Sequence, residues 1–119
     1  MNAEDMIKRT KKFAVGIVRL IQDLPSNKVA DVLGKQLLRS GTSVGANYRS
    51  ACHAKSQPDF IAKMGIVEEE ADECIYWLEL LVESGLLSQE KAKPFISEAS
   101  QLVNITVASI KTARGNLRN

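Results

Sequence analysis

Residues 40–49 read Ser40-Gly41-Thr42-Ser43-Val44-Gly45-Ala46-Asn47-Tyr48-Arg49, and whether this stretch is loop or helix decides the fold. Each glycine costs a helix interior about 1 kcal/mol relative to alanine, so Gly41 to Gly45 could be a loop splitting the segment. The apolar spacing points the other way. Val29, Leu33, Leu37, Ser40, Val44, Asn47 and Ala51 recur in steps of three and four, the period of one helix face. Gly34, Leu38, Gly41, Gly45 and Cys52 fall on a second stripe beside that seam, where bare backbone lets another helix approach closely and offsets the lost propensity. The segment is read as one continuous helix.

The same period extends outward in both directions. Upstream, Met6, Thr10, Phe13, Ile17, Leu20 and Leu24 form a seam. Pro25 disfavours helical geometry at Leu24 and Ser26 can cap the next helix, which predicts a tight connection at 24–26. Downstream, Ser56 followed by Asp59, with Pro58 in the first turn, starts a third helix. Its seam runs Phe60, Met64, Val67, Ala71, Cys74, Leu78 and Leu81 up to a terminator at Gly85. Ser88 caps a fourth, whose seam runs Ala92, Phe95, Ala99, Leu102, Thr106, Ile110 and Ala113 before Gly115. Four rods joined by short connections pack most simply up-down-up-down. The expected fold is all-α, a single antiparallel four-helix-bundle domain over residues 1–119.

Composition agrees and narrows the function classes. The chain is 45% hydrophobic and 25% charged, the balance of a globular protein rather than a disordered one. Cys52 and Cys74 are the only cysteines and stand far from metal-site spacing. The amphipathic N-terminus lacks the apolar core of a secretory signal, and no run reaches the ~20 apolar residues of a membrane span. A cytoplasmic protein with reduced cysteines and no membrane partner is expected.

Helix three carries more apolar surface than a bundle core requires. Ile66, Trp77 and Leu80 project well away from its core seam, with Glu70 and Glu73 among them. Such a cluster marks an interface, with tryptophan as a frequent anchor. Self-association is therefore expected, with Arg39 or Arg49 of helix two as partners for the two carboxylates, since a desolvated carboxylate is costly unless paired.

The net charge of +2 hides a polarised molecule. Up-down-up-down packing gathers Lys8, Arg9, Lys11, Lys12, Arg49, Lys55, Lys63, Lys111, Arg114 and Arg118 at one pole, ten of the sixteen Lys and Arg residues. Seven of the fourteen acids, Glu68, Glu69, Glu70, Asp72, Glu73, Glu79 and Glu83, lie on helix three. A basic pole repeated around an oligomer suits salt-sensitive, sequence-tolerant contact with RNA or DNA phosphates; a solvated lysine surface is the alternative. No recognition helix, zinc finger or stacking platform is visible. Catalysis is not expected: His53 follows Cys52 directly, and on a helix the two point ~100° apart. The glutamates of helix three lack the Glu-x-x-His partners of carboxylate metal sites, so neither metal nor cofactor is expected.

The stretch 40–49, then Ala51-Cys-His-Ala54, Asp59-Phe60, Lys63, Glu70-Ala-Asp-Glu73 and Tyr76-Trp-Leu-Glu-Leu-Leu81, resembles the bacterial four-helix-bundle proteins also called intervening-sequence proteins of the large ribosomal RNA. The likeness spans nearly the whole chain. It departs at Glu69, where family members often carry a lysine. The resemblance implies a bundle that assembles into a ring, a homopentamer. It is also similar to the accessory protein of diversity-generating retroelements, which implies nucleic acid and a reverse transcriptase, or another protein, as partners.

Overall fold

The structure, a computed structural model, describes residues 1–118; the side chain of Arg118 and the whole of Asn119 lie outside the described residues, and with them the expectation placed on Arg118. Four helices follow one another: α1 Ala3–Gln22, α2 Lys28–Cys52, α3 Gln57–Glu83 and α4 Gln89–Arg118. Each begins on a side chain that accepts a backbone N–H the first turn cannot satisfy internally. Asn2 accepts from Asp5 at 2.8 Å, Asn27 from Ala30 at 2.8 Å, Ser56 from Asp59 at 3.1 Å and Ser88 from Lys91 at 3.2 Å. Between α3 and α4 the chain reverses at Gly85, whose φ of 77° lies where a side chain would be strained.

The helices form an elongated antiparallel bundle of 52 × 21 × 20 Å. α1 packs on α2, α2 on α3 and α3 on α4, whereas α1 meets α4 only narrowly and does not touch α3. Two helices that never meet in a four-helix bundle stand at opposite corners, so the outward faces of α1 and α3 look in different directions. The core is sealed by fully buried Ile17, Leu37, Met64, Leu78, Leu81 and Leu102. Buried Thr10, Ser40 and Thr106 each donate to a carbonyl one turn back, at 2.9, 3.1 and 2.7 Å, which removes the cost of an unpaired hydroxyl. The Cys74 thiol lies 3.4 Å from the Ser40 hydroxyl, and burial pushes it up to about 11.

Residues 40–49 lie inside one unbroken helix, as the stripe of small residues predicts. A Cβ on Gly41 would stand 2.9 Å from Ile17, and one on Gly45 would stand 3.2 Å from the Thr10 hydroxyl and 3.4 Å from the Thr10 backbone. The glycines are what let α1 and α2 close on each other.

Four expectations need correction. The α2 cap is Asn27 rather than Ser26, because α1 ends at Gln22 and a turn through Leu24 delays the next start. The α2 seam is rotated: Val29 is exposed while Ala30, Gly34 and Tyr48 are buried, since α2 is gripped by α1 on its glycine side as well as by α3. Asn47, placed in the seam, is only half-buried. Gly115 does not stop α4, which continues to Arg118; with no neighbour within 4 Å and an ordinary helical φ, that glycine lets the helix run on.

Candidate nucleic-acid and protein interfaces

The start of α1, the start of α3 and the end of α4 converge at one end of the bundle, where Met1, Gln57, Phe60, Thr112 and Asn116 line one groove. The cations expected at this pole do not behave alike. Lys8, Lys11, Lys12, Arg49, Lys55, Lys111 and Arg114 are exposed. Lys63 is half-buried and donates to Asp59 at 2.8 Å; that contact and the Lys55 backbone N–H hold the Asp59 carboxyl below the usual carboxylate range. Lys8 has only a loose, fully wet contact with Glu4 at 3.5 Å. Arg9 is a strut rather than a free cation: its guanidinium donates to both Glu98 oxygens at 2.7 and 2.8 Å and to Gln101 at 2.7 Å.

That strut supports the narrow approach of α1 to α4. Deleting it strands a half-buried carboxylate, so Arg9→Ala should lower stability by about 1–2 kcal/mol. Lys8→Ala should stay within ~0.5 kcal/mol, as exposed pairs do. Urea titration of both variants against the parent chain checks this.

Beside the strut, α1 and α4 leave an open groove of about 860 Å³, lined by Lys8, Arg9, Lys12, Val15, Arg19 and Phe95 among others. Its floor exists because Gly16 has no side chain: a Cβ there would meet the Phe95 ring at 2.7 Å. Phe95 in turn tilts against Phe13, with centroids 6.3 Å apart. On the other flank of α1, Arg49 and Lys11, which also borders the α1/α4 groove, face a hollow of about 180 Å³ between α1 and α2, floored by Thr42, Gly45 and Ala46 and lined by no carboxylate.

The face expected to be an interface on α3 is tied to α2 within the chain. Arg39 donates to Glu70 at 2.9 Å and to Glu73, and Glu73 also accepts from the Trp77 indole N–H at 3.0 Å. Arg39 is held more firmly protonated by Glu73 and Glu70. Of the two arginines considered as partners, Arg39 takes both carboxylates; among the described residues Arg49 takes neither. Trp77 and Leu80 are half-buried while Ile66 is exposed. Tyr76 projects furthest, 58% exposed, its ring edge-on to Trp77 at 5.1 Å.

Arg19, Val15 and Tyr76 escaped the sequence reading. The signal for the first two was present, since Lys8, Lys12, Val15 and Arg19 recur at helical spacing; counting charge by pole rather than by stripe hid it. Cys52 is exposed and His53 is the C-terminal cap residue of α2. Among the described residues no cluster of three potential metal ligands occurs, and no helix is long and apolar enough to cross a membrane.

An antiparallel four-helix bundle with a cationic end and an acidic third helix defines a class of small helical modules. Within it, the chain belongs to the 23S rRNA-intervening sequence protein family, whose model matches residues 3–108. A solved structure from Bacteroides thetaiotaomicron, described as a protein of unknown function from the S23 ribosomal protein family, is 37% identical, covers 93% of this chain and 99% of its own, and superimposes with a TM-score of 0.86. No curated protein is significantly similar.

Proposed function

We propose that the chain is a non-enzymatic, self-associating module of the cytoplasm that binds RNA or DNA through its basic end. The observation that carries the nucleic-acid reading is the Lys11 and Arg49 pair: two exposed cations on facing flanks of a small-residue hollow without an opposing carboxylate. Phosphate is the anion such a place suits, and backbone contacts of this kind are sequence-tolerant and strongly salt-dependent. Lys55, Lys111 and Arg114 extend the basic surface. Self-association rests on the α3 face around Ile66, Trp77 and Leu80, braced by Arg39, Glu70 and Glu73; the family resemblance favours a ring of five.

Fluorescence anisotropy with generic single-stranded RNA over a salt series tests the binding. Affinity should fall steeply with salt, and Lys11→Glu with Arg49→Glu should flatten the log-log slope by about 1.4, at ~0.7 per lost single-strand contact. Absence of binding at low salt defeats the nucleic-acid reading. The second reading is a scaffold for a protein partner such as a reverse transcriptase, favoured by the apolar floor of the α1/α4 groove; a partner retained through high salt and nuclease would support it.

A further inference from the structure

We infer that the acidic outer ridge of α3 docks, head to tail, onto the basic wall of the α1/α4 groove of a second copy of this chain. The inference rests on the self-association proposed above and places its contact on the stripe of α3 beside the Ile66, Trp77 and Leu80 face. Three observations carry it: charge, register and direction.

The ridge of α3 consists of Glu69, Asp72, Tyr76, Glu79 and Glu83, all exposed. The α1 wall of the groove presents Lys8, Lys11, Lys12, Val15 and Arg19, also all exposed. Among the described residues Lys12, Arg19, Asp72, Glu79 and Glu83 have no ion-pair partner within the chain. Each surface thus carries one sign of charge around a single uncovered apolar side chain, Tyr76 at 58% and Val15 at 42% exposure.

The spacings match when the two helices run antiparallel. With Tyr76 set against Val15, Asp72 lies four residues before Tyr76 and Arg19 four after Val15. Glu79 lies three residues after Tyr76 and Lys12 three before Val15; Glu83 and Lys8 lie seven away in the same two directions. At ~1.5 Å rise per residue Lys8, Lys12 and Arg19 each fall level with a carboxylate over about 16 Å of helix. Tyr76 meets the apolar strip of Val15 beside the Phe13 and Phe95 floor. It is a rigid aromatic anchor of the kind that carries binding energy, ringed by charges that set orientation.

Direction settles the type of assembly. Because α1 and α3 stand at opposite corners of the bundle, one copy cannot use both surfaces on the same neighbour. The contact is heterologous and propagates around a ring or along a filament. The hollow between α1 and α2, with Arg49 on its far side, stays uncovered and free for phosphate.

Sedimentation velocity on the full chain tests this with three variants whose changes all lie on exposed residues: Lys12→Glu with Arg19→Glu, Asp72→Lys with Glu79→Lys, and all four together. Circular dichroism establishes that each folds. Each double variant should raise the concentration at which the parent assembly dissociates by roughly a hundredfold, as like charges now face each other. The quadruple variant, and an equimolar mixture of the two doubles, should recover the parent species. A parent chain that is monomeric at micromolar concentration overturns the self-association reading and this inference together. An assembled parent whose Lys12→Glu, Arg19→Glu variant assembles equally well overturns this inference alone. So does a quadruple variant that folds but stays apart.

Discussion

Gly41→Val is expected to destabilise the bundle by about 3 kcal/mol and to lower Tm by about 10 °C, the range of severe overpacking in a domain of this size. The new Cβ would stand 2.9 Å from Ile17 Cγ2, 3.1 Å from its Cγ1 and 3.2 Å from its Cβ. None of these is the far end of a flexible chain. Ile17 is β-branched, stiff at χ1 and fully buried, so relief requires α1 and α2 to separate. Separation would open contacts along the whole seam, including Thr10 against Gly45. Gly65→Ala is the contrast: nothing lies within 4 Å of its would-be Cβ, so only helix propensity changes and stability should rise by about 1 kcal/mol. Thermal denaturation followed by circular dichroism reads both. A Gly41→Val chain with an unchanged midpoint would mean that close approach does not hold α1 to α2.

Leu78→Ala is expected to cost about 3–4 kcal/mol, the transfer of a buried side chain plus the cavity left behind. Leu78 is completely buried on α3, the helix that packs on both α2 and α4, so the void would fall where neighbours on two sides must collapse at once. Leu78→Met conserves volume and should cost less than about 1.5 kcal/mol. Equilibrium unfolding in guanidinium separates the two, with the midpoint shifting and the slope unchanged if the transition stays two-state. Equal losses for alanine and methionine would show that shape, not volume, dominates at this position.

The seams of α3 and α4 were legible except at Phe60 and Phe95, which are half-buried at the edge of the core. Val67, Ala71, Cys74, Leu78, Leu81, Ala99, Leu102 and Thr106 are all buried as their spacing implies. So were the Ser56 and Ser88 caps, the reversal at Gly85 and the helical reading of residues 40–49. The α2 seam was less legible because a helix gripped from two sides buries small residues, and Ala30 and Gly34 carry little signal on a hydrophobicity scale. The candidate interfaces were legible only as composition: ten cations assigned to one pole, seven acids to one helix. Which of those charges are used up inside the chain was not. Arg9 meets Glu98 across 89 residues of sequence, and Arg39 meets Glu70 across 31.

What the order of amino acids determined by itself was everything set by neighbours three and four residues apart: where helices start, which face is apolar, where bare backbone invites another helix, and the family signature from Ser40 to Leu81. Such features need only the geometry of one helix. Tertiary structure alone decided the strut from Arg9 to Glu98, the Arg39 bridge to Glu70 and Glu73, and the groove that opens because Phe95 settles on Gly16. Those depend on the phase and separation of two helices at once. No single helix encodes that relation, because the close packing of the other side chains fixes it.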